Sequence, residues 1–91
     1  MTGIIGRILP TKVTIATTAT AVPTTALVGR TTITVKNTGA ATIYLGHAGV
    51  TTANGYPVAS GAELALDLDE AVTLYGIVAA DTVTLNILEG V

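Results

Sequence analysis

The chain has no cysteine, no tryptophan and no phenylalanine, and only 11% of its 91 residues are charged. The lack of cysteine excludes disulfides and thiolate metal sites. Charged residues are well below the roughly 25% typical of soluble domains. A surface with so few charges is poorly protected against association. We therefore expect partner subunits to cover part of it, the alternative being a stable single domain coated with threonine.

The basic residues are few and scattered, and no aromatic platform accompanies them. A nucleic-acid-binding protein usually clusters its basic side chains on one face or along one element. The sequence therefore predicts no nucleic-acid partner. The basic residues are Arg7, Lys12, Arg30 and Lys36.

Long apolar runs are also missing. Ile8 and Leu9 are followed at once by Pro10, Thr11 and Lys12, whereas a signal peptide needs an uninterrupted apolar region of roughly 7 to 15 residues. No run approaches the length of a transmembrane helix. The sequence predicts a protein made in the cytoplasm without a secretion signal and without a membrane partner.

What the chain does have is threonine, valine, isoleucine and leucine in short alternating segments. Residues 32–36, 63–69 and 82–88 each place apolar side chains on one face and polar ones on the other. Such segments recur at roughly 8- to 12-residue spacing with turn residues between them. We predict an all-β fold, a small antiparallel β-sandwich that is jelly-roll-like. Its expected core is Ile33, Val35, Ile43, Leu45, Leu64, Leu66, Leu68, Leu74, Val83, Leu85 and Ile87.

The pattern divides the chain into residues 1–30 and a β-sandwich of residues 31–91. Residues 1–30 are apolar on both strand faces near their start and continue into a threonine-rich stretch. They are either an extended arm that adds a strand to a neighbour's sheet edge or the first strands of the protein's own sandwich. Tyr56, beside Pro57 in a loop, is a second candidate contact. The candidate partner interface is Ile4, Ile5, Arg7, Ile8, Leu9, Lys12 and Tyr56.

Residues that could support catalysis are scarce. His47 is the one histidine and Ser60 the one serine, and both lie in glycine-rich connections. Ser60-Gly61 lacks the strained elbow of hydrolase serines, and a zinc site needs three or four ligands. The sequence therefore predicts no enzyme activity, no catalytic residue and no cofactor.

Asp67 and Asp69 share a strand face and form a candidate cation site. Together with Glu70 or Asp81 they offer oxygen ligands of the kind that Ca²⁺ prefers. The alternative is a solvated strand face whose charges discourage edge pairing. The sequence leaves both interpretations open.

Several turn and core positions of residues 31–89 form a recognisable series, which starts with an Asn-Thr-Gly element. These positions are Asn37-Thr38-Gly39, Tyr44-Leu45-Gly46, Gly49-Val50-Thr51-Thr52, Asn54-Gly55-Tyr56-Pro57, Ser60-Gly61, Leu66 and Leu74-Tyr75-Gly76-Ile77. The series resembles small β-sandwich proteins encoded among the virion structural genes of tailed bacteriophages.

The resemblance implies a structural component of the virion, made in the host cytoplasm. The expected function is that of a capsid decoration or cement protein, which binds the major capsid protein or another virion protein. It also implies a homo-oligomer, with a trimer favoured because decoration proteins often occupy three-fold positions. The alternative is a carbohydrate- or receptor-binding β-module of a phage fibre or tail.

Overall fold

The computed structural model describes residues 6–91. The candidate interface residues Ile4 and Ile5 lie outside the described residues. Within the described part the secondary structure consists of eight strands. They are β1 (Ile8–Ile15), β2 (Thr20–Val22), β3 (Thr32–Asn37), β4 (Ile43–Gly46), β5 (Tyr56–Val58), β6 (Glu63–Asp67), β7 (Leu74–Ile77) and β8 (Val83–Gly90).

The strands form two antiparallel sheets of four strands each. Sheet A has the order β1-β8-β3-β6 and sheet B the order β2-β7-β4-β5. The chain changes sheet at every connection except the one between β4 and β5. The all-β prediction is therefore confirmed, and the free edges of sheet A are β1 and β6.

The alternation of side chains explains why these segments form a sandwich. Stiff β-branched residues fit a pleated surface, and every second one faces the space between the sheets. Ile15 of sheet A and Ile43 of sheet B both approach Gly76, whose missing side chain lets the two sheets pack closely there. The buried apolar residues form one cluster between the sheets: Val13, Ile15, Val22, Ile33, Val35, Ile43, Leu45, Val58, Val78, Val83, Leu85 and Ile87.

Seven of the eleven predicted core residues are buried, and the other four are only half-buried. These four pack against the core without being enclosed by it, and they are Leu64, Leu66, Leu68 and Leu74. The reason lies in the topology, because β6 is an edge strand and β5 on the facing sheet is only three residues long. The leucines of β6 therefore face inward at a side of the sandwich that stays open.

The described part of residues 1–30 belongs to the sandwich rather than to a separate arm. β1 pairs with β8 over eight consecutive residues, from Ile8 opposite Gly90 to Ile15 opposite Val83. β2 pairs with β7 in sheet B. Ile15 is fully buried, so β1 supplies part of the core. From Ile8 onward the first-strand alternative is what the structure shows, and the arm interpretation is wrong for these residues.

Candidate partner-binding surface

An open groove runs along the β1 edge of the sandwich. Its volume is about 490 Å³, and it lies between the inward side of β1 and residues 23–28. Three predicted interface residues line it, namely Arg7, Leu9 and Lys12. Arg7 is fixed at one end, where its Nη2 donates a hydrogen bond to the Val28 carbonyl at 2.6 Å. Ile8 lies on the outer face and is 59% exposed.

A second open groove lies at the other side of the sandwich, along β5 and β6. Its volume is about 390 Å³ and its lining is apolar. Tyr56 lies here and is 61% exposed. Within one copy the structure therefore separates Tyr56 from the β1 residues with which it was predicted to act. The lining residues are Leu45, Gly46, Tyr56, Leu64, Leu66 and Leu74.

The outer face of sheet B carries no charge. None of the four strands of this sheet contains an Asp, Glu, Lys or Arg, and all three tyrosines of the chain lie on them. Because Gly76 faces the core, its neighbours Tyr75 and Ile77 face outward. Tyr44 is directly opposite Ile77 and diagonal to Tyr75, a spacing within reach of aromatic side chains. These three side chains are half-buried, and the loop between β4 and β5 covers part of this face, where Val50 is buried against Gly46.

The outer face of sheet A is different, because it carries charged and polar side chains beside the exposed apolar residues Ile8 and Leu88. The cross-strand row Lys12, Asn86, Lys36 and Glu63 runs over all four strands. Threonines of β1, β3 and β8 fill much of the rest. The core of a protein interface is depleted in charged residues and enriched in aromatic residues such as tyrosine. Sheet B has that composition and sheet A does not.

His47 and Ser60 take part in turn hydrogen bonds. The Nδ1 atom of His47 accepts a hydrogen bond from the Gly49 amide at 2.8 Å. The Ser60 hydroxyl donates to the Gly39 carbonyl at 2.6 Å. Both side chains are exposed, and each stabilises a local loop conformation.

The acidic residues near the end of β6 do not converge on a cation site. Asp67 is exposed on the outer face of β6, and Asp69 accepts a hydrogen bond from the Ala71 amide through its Oδ1 atom at 2.8 Å. Among residues 6–91 no three His, Cys, Asp or Glu side chains lie close enough together to hold a metal ion. The geometry fits the alternative in which these carboxylates are solvated at a strand edge.

Sequence reasoning missed a buried ion pair at one end of the sandwich. Arg30 Nη1 lies 2.9 Å from Glu89 Oε2, and the two side chains are 1% and 0% exposed. Arg30 also donates to the backbone carbonyls of Leu68, Asp69 and Val72. A signal was present, since Glu89 continues the inward-facing series of Val83, Leu85 and Ile87. A carboxylate on an apolar strand face needs a buried partner.

The Asn-Thr-Gly element organises the connections at the other end of β3. Asn37 is fully buried. Its Nδ2 donates to the carbonyls of Ala41 at 2.7 Å and Val58 at 2.9 Å, and its Oδ1 accepts from the Gly39 amide at 2.9 Å. One side chain thus links β3 to the loop before β4 and to β5, so this motif is structural.

Among residues 6–91 no helix is long and apolar enough to cross a membrane. No protein-family model matches the chain, and no curated protein or solved structure is significantly similar to it.

Proposed function

We propose that this chain is a non-enzymatic virion structural protein, a capsid decoration or cement protein that binds the head of a tailed bacteriophage as a homo-oligomer. The observation that carries the proposal is the charge-free outer face of sheet B. It presents two tyrosines and an isoleucine from neighbouring strands on a rigid sheet. The major capsid protein is the proposed partner, a trimer the favoured oligomer and the virion the proposed location.

The strand order supports a jelly roll as the finer description of the fold. β8 lies between β1 and β3, and β7 lies between β2 and β4. Eight strands built from two Greek keys give interlocked sheets of this kind, an architecture used in viral capsid proteins. We include this description in the proposal because it fits the phage resemblance of the turn and core motifs.

A capsid surface repeats one site many times, so a module of modest affinity gains from binding as an oligomer. When the first subunit of an oligomer binds, the others are held at high effective concentration beside equivalent sites. An uncharged face with a few tyrosine anchors suits such a contact, because tyrosine is enriched among residues that dominate binding energy. The polar outer face of sheet A remains available for solvent.

Ile77→Lys tests whether the sheet B face makes the contact. The change places an ammonium group in the centre of the charge-free face, where binding would have to desolvate it. We expect affinity for capsids prepared without this protein to fall about 10- to 100-fold in a cosedimentation titration, which corresponds to a loss of about 1.4 to 2.8 kcal/mol.

The matched control is Thr34→Lys. Thr34 has the same half-buried, outward position on a central strand, but it lies on the polar face of sheet A. We expect this variant to bind capsids as the wild type does. If Ile77→Lys bound capsids with wild-type affinity, the sheet B face would not be the contact surface. If both variants lost affinity equally, the loss would come from the added positive charge itself and not from the face that carries it.

The second candidate function is a carbohydrate- or receptor-binding module of a fibre or tail. The diagonal pair Tyr44 and Tyr75 is the observation that favours it, since exposed aromatic faces are suitable for stacking on sugars. A glycan array separates the two functions. Specific glycan binding that Tyr75→Ala abolishes supports this candidate, whereas capsid binding without any glycan signal supports the decoration protein.

A further inference from the structure

We infer that sheet A continues from one copy of this chain to the next, with the β1 edge of one copy pairing antiparallel with the β6 edge of its neighbour in a closed head-to-tail ring. The inference rests on the oligomer in the proposed function and names the surface that forms it. Its test uses the purified protein alone, so a monomer that still binds capsids would refute the ring and leave the decoration function standing.

Within residues 6–91 the backbone hydrogen-bonding groups on the outer sides of β1 and β6 have no strand partner. The carbonyls of Thr84 and Gly90 accept hydrogen bonds from the β3 side, so odd-numbered residues of β8 face β1. Because backbone groups alternate along a strand, Ile8, Lys12 and Thr14 direct their N–H groups to the open edge of β1. Pro10 has no N–H, so at this point of the edge it offers a neighbouring strand only its carbonyl.

The same reasoning applies to β6. The Asn37 amide donates to the Ala62 carbonyl, and the Leu68 amide donates to the Thr31 carbonyl. Even-numbered residues of this segment therefore face β3, and the odd-numbered residues of β6 face outward. Their N–H and C=O groups have no strand partner within residues 6–91. These residues are Glu63, Ala65 and Asp67.

Strand direction allows the two edges to meet head to tail. Each neighbouring pair in the order β1-β8-β3-β6 is antiparallel, so β1 and β6 run in opposite directions. A copy rotated about an axis parallel to the strands keeps its own strand directions, and its β1 therefore arrives antiparallel to the first copy's β6. A head-to-tail contact whose rotation closes gives a ring.

The rows of paired residues set the register of this contact. Lys12, Asn86, Lys36 and Glu63 lie in one row, and Ile8, Gly90, Thr32 and Asp67 lie in another. A pure rotation about the axis parallel to the strands shifts no residue along that axis. The β6 residue at the end of each row therefore lies beside the β1 residue that begins the same row in the next copy. Lys12 of the next copy then lies beside Glu63, and Ile8 lies beside Asp67.

Charge favours this pairing over the two-fold alternative. A β6 edge paired with itself would place Glu63 opposite Asp67 of the second copy, with Ala65 at the centre. Like charges directly opposite each other destabilise a strand pair, whereas Lys12 beside Glu63 stabilises it. The β6 edge, with Glu63 and Asp67, therefore pairs more favourably with the β1 edge that carries Lys12 than with the β6 edge of a second copy.

The contact also covers apolar surface that a single copy leaves open. The groove beside β1 and the groove beside β6 have volumes of about 490 and 390 Å³, and each lies on the inward side of the strand that pairs. Leu9 from one copy and Leu64, Leu66 and Tyr56 from the other then lie on the same side of the joined sheet. This arrangement brings Tyr56 together with the β1 residues with which the sequence grouped it.

Charge reversal tests the ring by light scattering over a concentration series. Lys12→Glu and Glu63→Lys each place like charges at the joint, and we expect each to weaken self-association about 10-fold or more. The double variant restores an opposite pair, so we expect it to associate within about 3-fold of the wild type. Thr18→Glu is the control, because it adds an exposed acidic side chain in the loop between β1 and β2, outside both paired edges, and should associate as the wild type does.

Amide hydrogen exchange on the wild-type protein provides a test that needs no variant. The amides of Ile8, Lys12, Glu63, Ala65 and Asp67 should be protected in the oligomer and should lose protection on dilution. A wild-type monomer at all concentrations, an effect of only one reversal, or failure of the double variant to restore association would each overturn the inference. Fast exchange of these five amides in an intact oligomer would also overturn it.

Discussion

Arg30→Ala is expected to lower the free energy of unfolding by about 3 to 5 kcal/mol, the usual cost of removing one partner of a buried ion pair. The guanidinium is buried and contacts Glu89 at 2.9 Å. Without it, Glu89 keeps one hydrogen bond, from the Leu27 amide, while its Oε1 atom has no partner. The carbonyls of Leu68 and Val72 lose their hydrogen bonds from Arg30 as well, whereas the Asp69 carbonyl keeps its hydrogen bond from the Val72 amide. Urea unfolding monitored by circular dichroism measures the change.

Arg7→Ala is the matched control for this prediction. It removes the same side chain from an exposed position with a single hydrogen bond, to the Val28 carbonyl. We expect a loss of about 1 kcal/mol or less, as for other exposed charged residues. An Arg30→Ala protein as stable as the Arg7→Ala protein would show that the ion pair does not hold this end of the sandwich together.

Asn37→Asp is expected to cost about 3 kcal/mol or more, because it leaves buried polar groups unpaired and adds a charge. The substitution preserves the size of the side chain but removes both donors. A carboxylate oxygen would then face the carbonyls of Ala41 and Val58, which Nδ2 now contacts at 2.7 and 2.9 Å. The site is fully buried, so water cannot take over the lost hydrogen bonds. The same unfolding measurement applies.

Asn54→Asp is the control with identical chemistry. Asn54 is exposed, and its Oδ1 accepts a hydrogen bond from the Thr51 amide at 2.7 Å. A carboxylate accepts that bond equally well, so we expect a change within about 0.5 kcal/mol, the usual range for surface substitutions. If Asn37→Asp were equally neutral, the Asn-Thr-Gly element would not be the structural link between β3, β4 and β5.

The fold class could be predicted because the strands with the clearest alternation occupy the interior of the sheets. Ile33 and Val35 of β3 and Val83, Leu85 and Ile87 of β8 are buried as expected. Period-2 patterns specify which residues face inward. They do not specify how completely a face is covered, which is why Leu64 and Leu66 at an edge are only half-buried.

The N-terminal strand shows where sequence patterns are insufficient. Ile8 and Leu9 are both apolar, and both remain exposed in one copy, at 59% and 36%. Because consecutive residues are apolar, the sequence does not show which face of this strand is exposed to solvent. It therefore could not distinguish an arm from an edge strand. Only the pairing of β1 with β8 resolves the position of these residues, and that pairing places Ile8 opposite Gly90 and Leu9 opposite Glu89, at the other end of the chain.

The sequence suggested interface residues but not where they lie relative to one another, and it did not suggest the outer face of sheet B. Arg7, Leu9 and Lys12 line one groove, and Tyr56 lines another at the opposite edge. The charge-free face of sheet B needed the strand order, since β2, β4, β5 and β7 are not consecutive in the chain. No local pattern shows that four uncharged segments share one sheet.

The central claim is that this chain binds a capsid lattice, and titration onto capsids prepared without it tests that claim most directly. Wild-type protein is added in increasing amounts, the capsids are sedimented, and the bound copies per capsid subunit are counted. We predict saturation at a fixed ratio of this chain to the capsid protein, set by the lattice symmetry. Protein that stays in the supernatant at tens of micromolar, or binding that rises without saturation, would contradict the account.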